Sequence, residues 1–129
     1  MSEDKRTAEE WGRLAVSLPG WRWMPGMLQW RTGPWMGSRR SVDSDYFDTG
    51  HEARVMGGDT WPDPDDPATE GCLLALLGAR AVDVVCPAAN GGRWAVSVSG
   101  PHHIGIGSTL GRACIAAAEA LGRWPGGEG

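Results

Sequence analysis

Asn90-Gly91-Gly92 stands between two alternating apolar segments, Val82–Cys86 and Arg93–Ser99, and constrains the fold more than any other run in the chain. Glycines after an Asn supply the positive-φ positions of a tight hairpin, so the two segments read as antiparallel neighbours. No helical pattern lies between them, and a parallel βαβ crossover is thereby excluded for this stretch.

Helical patterns lie on either side of this hairpin. Thr7-Ala-Glu-Glu10 is a capping box opening a helix to about Ser17, with Trp11, Leu14, Ala15 and Leu18 on one face. Asp66-Pro67 opens a second as N-cap and N1 residue, and its run Cys72–Leu77 is apolar almost all round. Ser108-Thr109 caps a third, which runs to about Leu121 and ends at Gly122, leaving 124–129 as a tail. Between the first two helices, Trp21–Met24 and Met27–Trp30 alternate as short strands around Pro25-Gly26, and Ile104–Ile106 reads as an edge strand. Residues 37–65, rich in Ser, Asp, Gly and Pro, read as a long acidic loop with a short strand near Ala53–Met56. The expected architecture is a single α+β domain over 1–129. Its order is α-β-β-(loop)-α-β-β-α, in helix/sheet/helix layers around an antiparallel sheet.

Charge is distributed unevenly along this order. Between Trp11 and Val42 there are five Trp, five Arg and no carboxylate, whereas Asp43–Glu70 carries nine carboxylates and one Arg. The net charge of −4 argues against a general nucleic-acid binder. It leaves room for local recognition of one anionic ligand. Cys72, Cys86 and Cys114 form no metal-ligand spacing. An odd count with no secretory segment points to reduced thiols in a cytoplasm. No membrane span is visible either.

Several runs, in their order, resemble the small phage proteins grouped as the phage ABA sandwich domain. They are Leu18-Pro-Gly-Trp-Arg-Trp23, then Trp61-Pro-Asp-Pro-Asp-Asp66 leading through Gly71-Cys72 into Leu73-Leu74. The hairpin Arg93-Trp-Ala-Val96 follows, and the Ala-rich helix Ser108–Ala118 with its Cys114-Ile115 pair comes last. The likeness covers most of the chain apart from Met24–Gly58. It implies a phage or prophage source and a helix/sheet/helix sandwich, and it supplies no catalytic residue and no established activity.

Candidate binding residues follow from chemistry. Trp30, Trp35 and Trp61 lie beside Pro and Gly, where burial is hard to arrange, and Arg31, Arg39 and Arg40 accompany them without a neighbouring carboxylate. Stacking on Trp with Arg on a phosphate is the physics such a set would use. Ser108 and Thr109 stand at a Gly-rich helix N-terminus, where free N–H groups and the macrodipole favour an anion. The run is neither a Walker A motif nor a complete dinucleotide fingerprint. Asp59, Asp63, Asp65 and Asp66 are broken by prolines and do not have calcium-loop spacing, so no metal or cofactor is expected. No nucleophile has a base beside it, and a non-catalytic protein is expected. For a small phage protein without catalytic groups, the expectation is counter-defence by capture of a nucleotide-type host signal. Two alternatives stand beside it. The acidic loop could mimic nucleic acid toward a host defence protein, or the Trp-rich surface could serve only a homo-oligomer.

Overall fold

Each helix begins where a side chain can take over an orphan N–H. In α1, Ala8–Ser17, the Thr7 hydroxyl accepts from the Glu10 N–H, and the Glu10 carboxylate accepts from the Thr7 N–H. Helix α2, Pro67–Leu77, starts with Asp66 accepting from the Thr69 N–H at 3.0 Å and ends at Gly78. Helix α3, Leu110–Leu121, starts at Thr109 and ends at Gly122 in the left-handed conformation, which a Cβ would disfavour. The computed structural model describes residues 6–24, 26–31, 37–40, 60–78, 81–89, 91–98 and 103–127.

Among the described residues the strands form two three-stranded antiparallel sheets, so the chain is α+β. Strands β1 (Leu28–Arg31), β2 (Gly37–Arg40) and β3 (Thr60–Pro62) order as β2-β1-β3. Strands β4 (Ala81–Val85), β5 (Trp94–Val98) and β6 (His103–Gly107) order as β4-β5-β6. The β4–β5 connection is wider than the glycine pair alone requires. A 3-10 turn at Pro87–Ala89 precedes Gly91-Gly92, and the Gly92 N–H closes on the Pro87 carbonyl at 2.9 Å.

Glycine sets how closely the layers approach. A Cβ on Gly105 would meet Ala113 O and Ala117 N at 2.3 Å, so α3 lies backbone-close upon β6. The core joins Trp11 and Ala15 of α1, Leu73, Leu76 and Leu77 of α2, Val96 and Val98 of β5, and Ala113–Ile115, Ala117 and Ala118 of α3. Among the described residues, no helix is long and apolar enough to cross a membrane.

Three expectations need correction. Trp21–Met24 is not a strand. The segment is irregular because its tryptophans pack on one another, Trp21 edge-on to Trp23 at 5.2 Å and to Trp124 at 5.9 Å. Residues 37–65 are not loop throughout, since both ends pair with β1 through backbone hydrogen bonds that local periodicity does not reveal. Trp124 does not belong to a tail: it is fully buried, and its indole N–H donates to the Ala15 carbonyl at 2.9 Å. The expected strand near Ala53–Met56 lies outside the described residues.

Candidate functional site

β1 is the middle strand of its sheet and carries two of the residues singled out above. Leu28 is opposite Arg40, Gln29 opposite Arg39, Trp30 opposite Ser38 and Arg31 opposite Gly37. On its other side Gln29 faces Pro62, Trp30 faces Trp61 and Arg31 faces Thr60. Arg31, Arg39 and Arg40 therefore fall within the four paired rows of one hairpin whose strands contain no carboxylate. Trp35 lies outside the described residues, as do the side chains of these three arginines.

Trp30 and Trp61 stack, with centroids 6.0 Å apart and planes 20° from parallel. Trp61 is 92% buried, at 8% exposure, with its ring against α1, where a Cβ on Gly12 would lie 2.7 Å from Trp61 Cε3. Trp30 is half-buried, and its indole N–H donates to Asp63 Oδ2 at 3.1 Å. Pro and Gly neighbours suggested exposure for Trp61. Pairing of β3 with β1 buries it instead. Trp11, Trp23 and Trp124 are buried too, so four of the eight tryptophans cannot form part of an exposed aromatic patch.

The glycine-rich start of α3 meets the chain's own carboxylates. Ser108 is exposed, and Thr109 is the N-cap, accepting from the Arg112 N–H at 3.2 Å. The Thr109 hydroxyl donates to Asp65 Oδ1 at 2.8 Å, and the Gly111 N–H donates to Glu70 Oε2 at 3.1 Å. Arg112 grips Asp65 with two bonds, Nε to Oδ1 at 3.0 Å and a terminal nitrogen to Oδ2 at 2.8 Å. Negative charge thus stands where the helix dipole favours it, supplied from within the fold.

Much of the acidic stretch has a structural use. Asp63 holds Trp30, Asp65 holds α3, Asp66 caps α2 and Glu70 reaches Gly111. Asp43, Asp45, Asp48, Glu52 and Asp59 lie outside the described residues. Among the described residues, no group of three or more His, Cys, Asp and Glu is placed to hold a metal ion. Cys114 is buried, and that burial, with the Glu70 charge adding to it, pushes its thiol up to about 12. Cys72 is raised in the same direction, first by burial and then by Asp66. Cys86 is exposed.

Sequence reasoning passed over Asp63 as the partner of Trp30. The two stand 33 residues apart along the chain, and no local pattern signals a bond across that separation. The chain matches no model of a protein family, no curated protein sequence and no solved structure.

Proposed function

We propose that this protein is a non-catalytic binder of a small anionic, nucleotide-type ligand, received at the β1–β2 hairpin. The observation that carries the reading is the strand register. It gathers Arg31, Arg39 and Arg40 into adjoining rows beside Trp30, without a carboxylate in either strand. Guanidinium groups match phosphate oxygens with paired N–H donors, and half-buried Trp30, on the sheet face that the register gives to the row of Arg40, offers a surface for a base. The start of α3 is a weaker candidate, because Asp65 and Glu70 already satisfy it.

The likeness to phage ABA sandwich proteins supports a phage origin, a layered helix/sheet/helix arrangement and a counter-defence role in the host cytoplasm. In that role the protein would sequester a nucleotide-type immune signal. The rival role, an acidic mimic of nucleic acid acting on a host defence protein, is weakened because Asp63, Asp65, Asp66 and Glu70 are already engaged within the fold.

Mass spectrometry of molecules released by heating, after incubation with cyclic nucleotides and ADP-ribose-type nucleotides, tests the reading. One of these is expected to be retained in stoichiometric amount. The Arg40→Ala variant should retain about tenfold less, since a charge-assisted bond contributes roughly 1.5–3 kcal/mol. Binding of none of them at micromolar concentration ends the proposal. A salt-sensitive protein partner recovered from host lysate, with no nucleotide retained, would favour the mimic.

A further inference from the structure

Trp30 is held on two sides. Trp61 stacks on one face of its ring, with centroids 6.0 Å apart and planes 20° from parallel, and Asp63 Oδ2 accepts its indole N–H at 3.1 Å. Asp63 is itself fixed. Its backbone N–H donates to the Leu28 carbonyl at 2.9 Å, and its Oδ1 accepts from the Asp65 N–H at 2.9 Å. The stack runs from β3 to β1, so the second face of Trp30 looks onward to β2, where Ser38 is opposite Trp30 and Arg40 opposite Leu28. Half-buried Trp30 keeps part of its ring in contact with solvent.

Charge around this ring is split by position. Strands β1 and β2 carry three arginines and no carboxylate, whereas Asp63 brings a carboxylate to the edge of the indole. The backbone bond to Leu28 sets Asp63 in line with Arg40 across β1, about 10 Å away at two strand spacings. A carboxylate that accepts an indole N–H draws the proton toward itself and leaves more electron density on the ring. The negative face on which cations stack is thereby strengthened, and the fixed charge beside it acts in the same direction. A wholly anionic ligand is repelled by Asp63. One with phosphate at one end and a positively charged ring at the other matches both parts of the surface.

We infer that the ring received on Trp30 carries a positive charge, as the pyridinium of an oxidised nicotinamide nucleotide does, with its phosphates toward Arg40. Asp63 is the residue that sets this preference. The inference rests on the anion-binding reading above and narrows its ligand class. Adenine and guanine are neutral at physiological pH and gain nothing from the carboxylate. Reduction of nicotinamide removes the ring charge and keeps every phosphate, so the oxidised and reduced forms are a matched pair.

Isothermal titration of the full chain with NAD+, NADH and ADP-ribose separates ring charge from phosphate. NAD+ is expected to bind about fivefold or more tightly than the other two, the difference that a cation on a Trp face supports. Its complex should also show a charge-transfer absorbance on the long-wavelength side of the indole band, absent with ADP-ribose. Asp63→Asn keeps an acceptor for the indole and removes the charge. The three ligands should then bind almost alike, through loss of NAD+ affinity and not of ADP-ribose affinity. The wild-type comparison needs no variant, so it decides the ring charge even where Asp63→Asn unfolds. Equal binding of all three by the wild type overturns the inference and leaves the anion site standing. An Asp63→Asn variant that keeps the full preference removes Asp63 from recognition and makes it a structural partner of Trp30. If another nucleotide is retained and NAD+ is not, the inference falls alone. If no nucleotide binds at micromolar concentration, the site falls with it.

Discussion

Cys114 is fully buried in the core that includes Ala113, Ile115 and the α2 leucines, so a thiolate there has no solvation to draw on, and the Glu70 charge opposes it further. Its folded-state pKa is raised from 9.0 to about 12, which gives a sign to the pH dependence. The thiol form is favoured in the folded state. Its contribution is complete below about pH 9 and is lost as pH rises toward about 12. A Cys114→Ala variant should therefore lose less stability than the wild type between these limits, measured by urea unfolding at stepped pH. At neutral pH a thiol reagent should label Cys86 fast and Cys114 only on unfolding. Gly111 offers a second test at this scale. A Cβ there would sit 1.8 Å from the Pro64 carbonyl oxygen, so Gly111→Ala must displace backbone. It should cost about 1–3 kcal/mol or more by denaturant titration, against an expected gain from helix propensity alone.

Elements differ in how plainly the chain announces them. The helices were legible at their N-caps, to the residue for Thr7 and Asp66 and as the pair Ser108-Thr109 for the third, because a cap is settled within four residues of sequence. The β4–β5 hairpin was legible for the same reason. β2 and β3 were not, because a three- or four-residue strand is defined by its partner, and β3 lies about thirty residues from β1 along the chain. The arginines of the candidate site were visible as residue types, whereas their assembly into adjoining rows needed the register. The bond from Trp30 to Asp63 needed the strand pairing that brings the two together. At this scale, Thr109→Ala removes a cap and also one of the donors to Asp65, and it should cost about 0.5–2 kcal/mol in thermal unfolding. Asp65→Asn should cost less, about 1 kcal/mol or under, because the Asp65–Arg112 pair is partly solvated.

For the whole molecule, the end of the chain matters as much as its middle. Trp124 lies at the junction of α1 with the Trp21 cluster. Its backbone N–H donates to the Pro19 carbonyl at 2.8 Å, and its indole to Ala15. Trp124→Ala should cost about 3–5 kcal/mol, enough to unfold a marginal domain at physiological temperature, and far-UV circular dichroism during heating would show it. Sequence reading dismissed this residue because Gly122 ends the helix and glycines surround it. Only the return of the chain onto α1 gives the ring a place to go.

One bond connects the sheet that carries the arginines to the rest of the fold in a way that can be timed. The Leu28 N–H, at the start of β1, donates to the buried Thr69 Oγ1 of α2 at 2.8 Å, and that hydroxyl in turn donates to Asp66. The acceptor is a helix side chain, so this amide is uncovered when strand and helix part, whatever the neighbouring strands are doing. In deuterated buffer, Leu28 should then keep pace with the amides of α2, and Thr69→Val should release Leu28 alone while the helix keeps its rate. Ligand captured on the hairpin should slow Leu28 and the α2 amides together, so that occupancy of the hairpin is recorded as proton lifetimes on the helix it is bonded to.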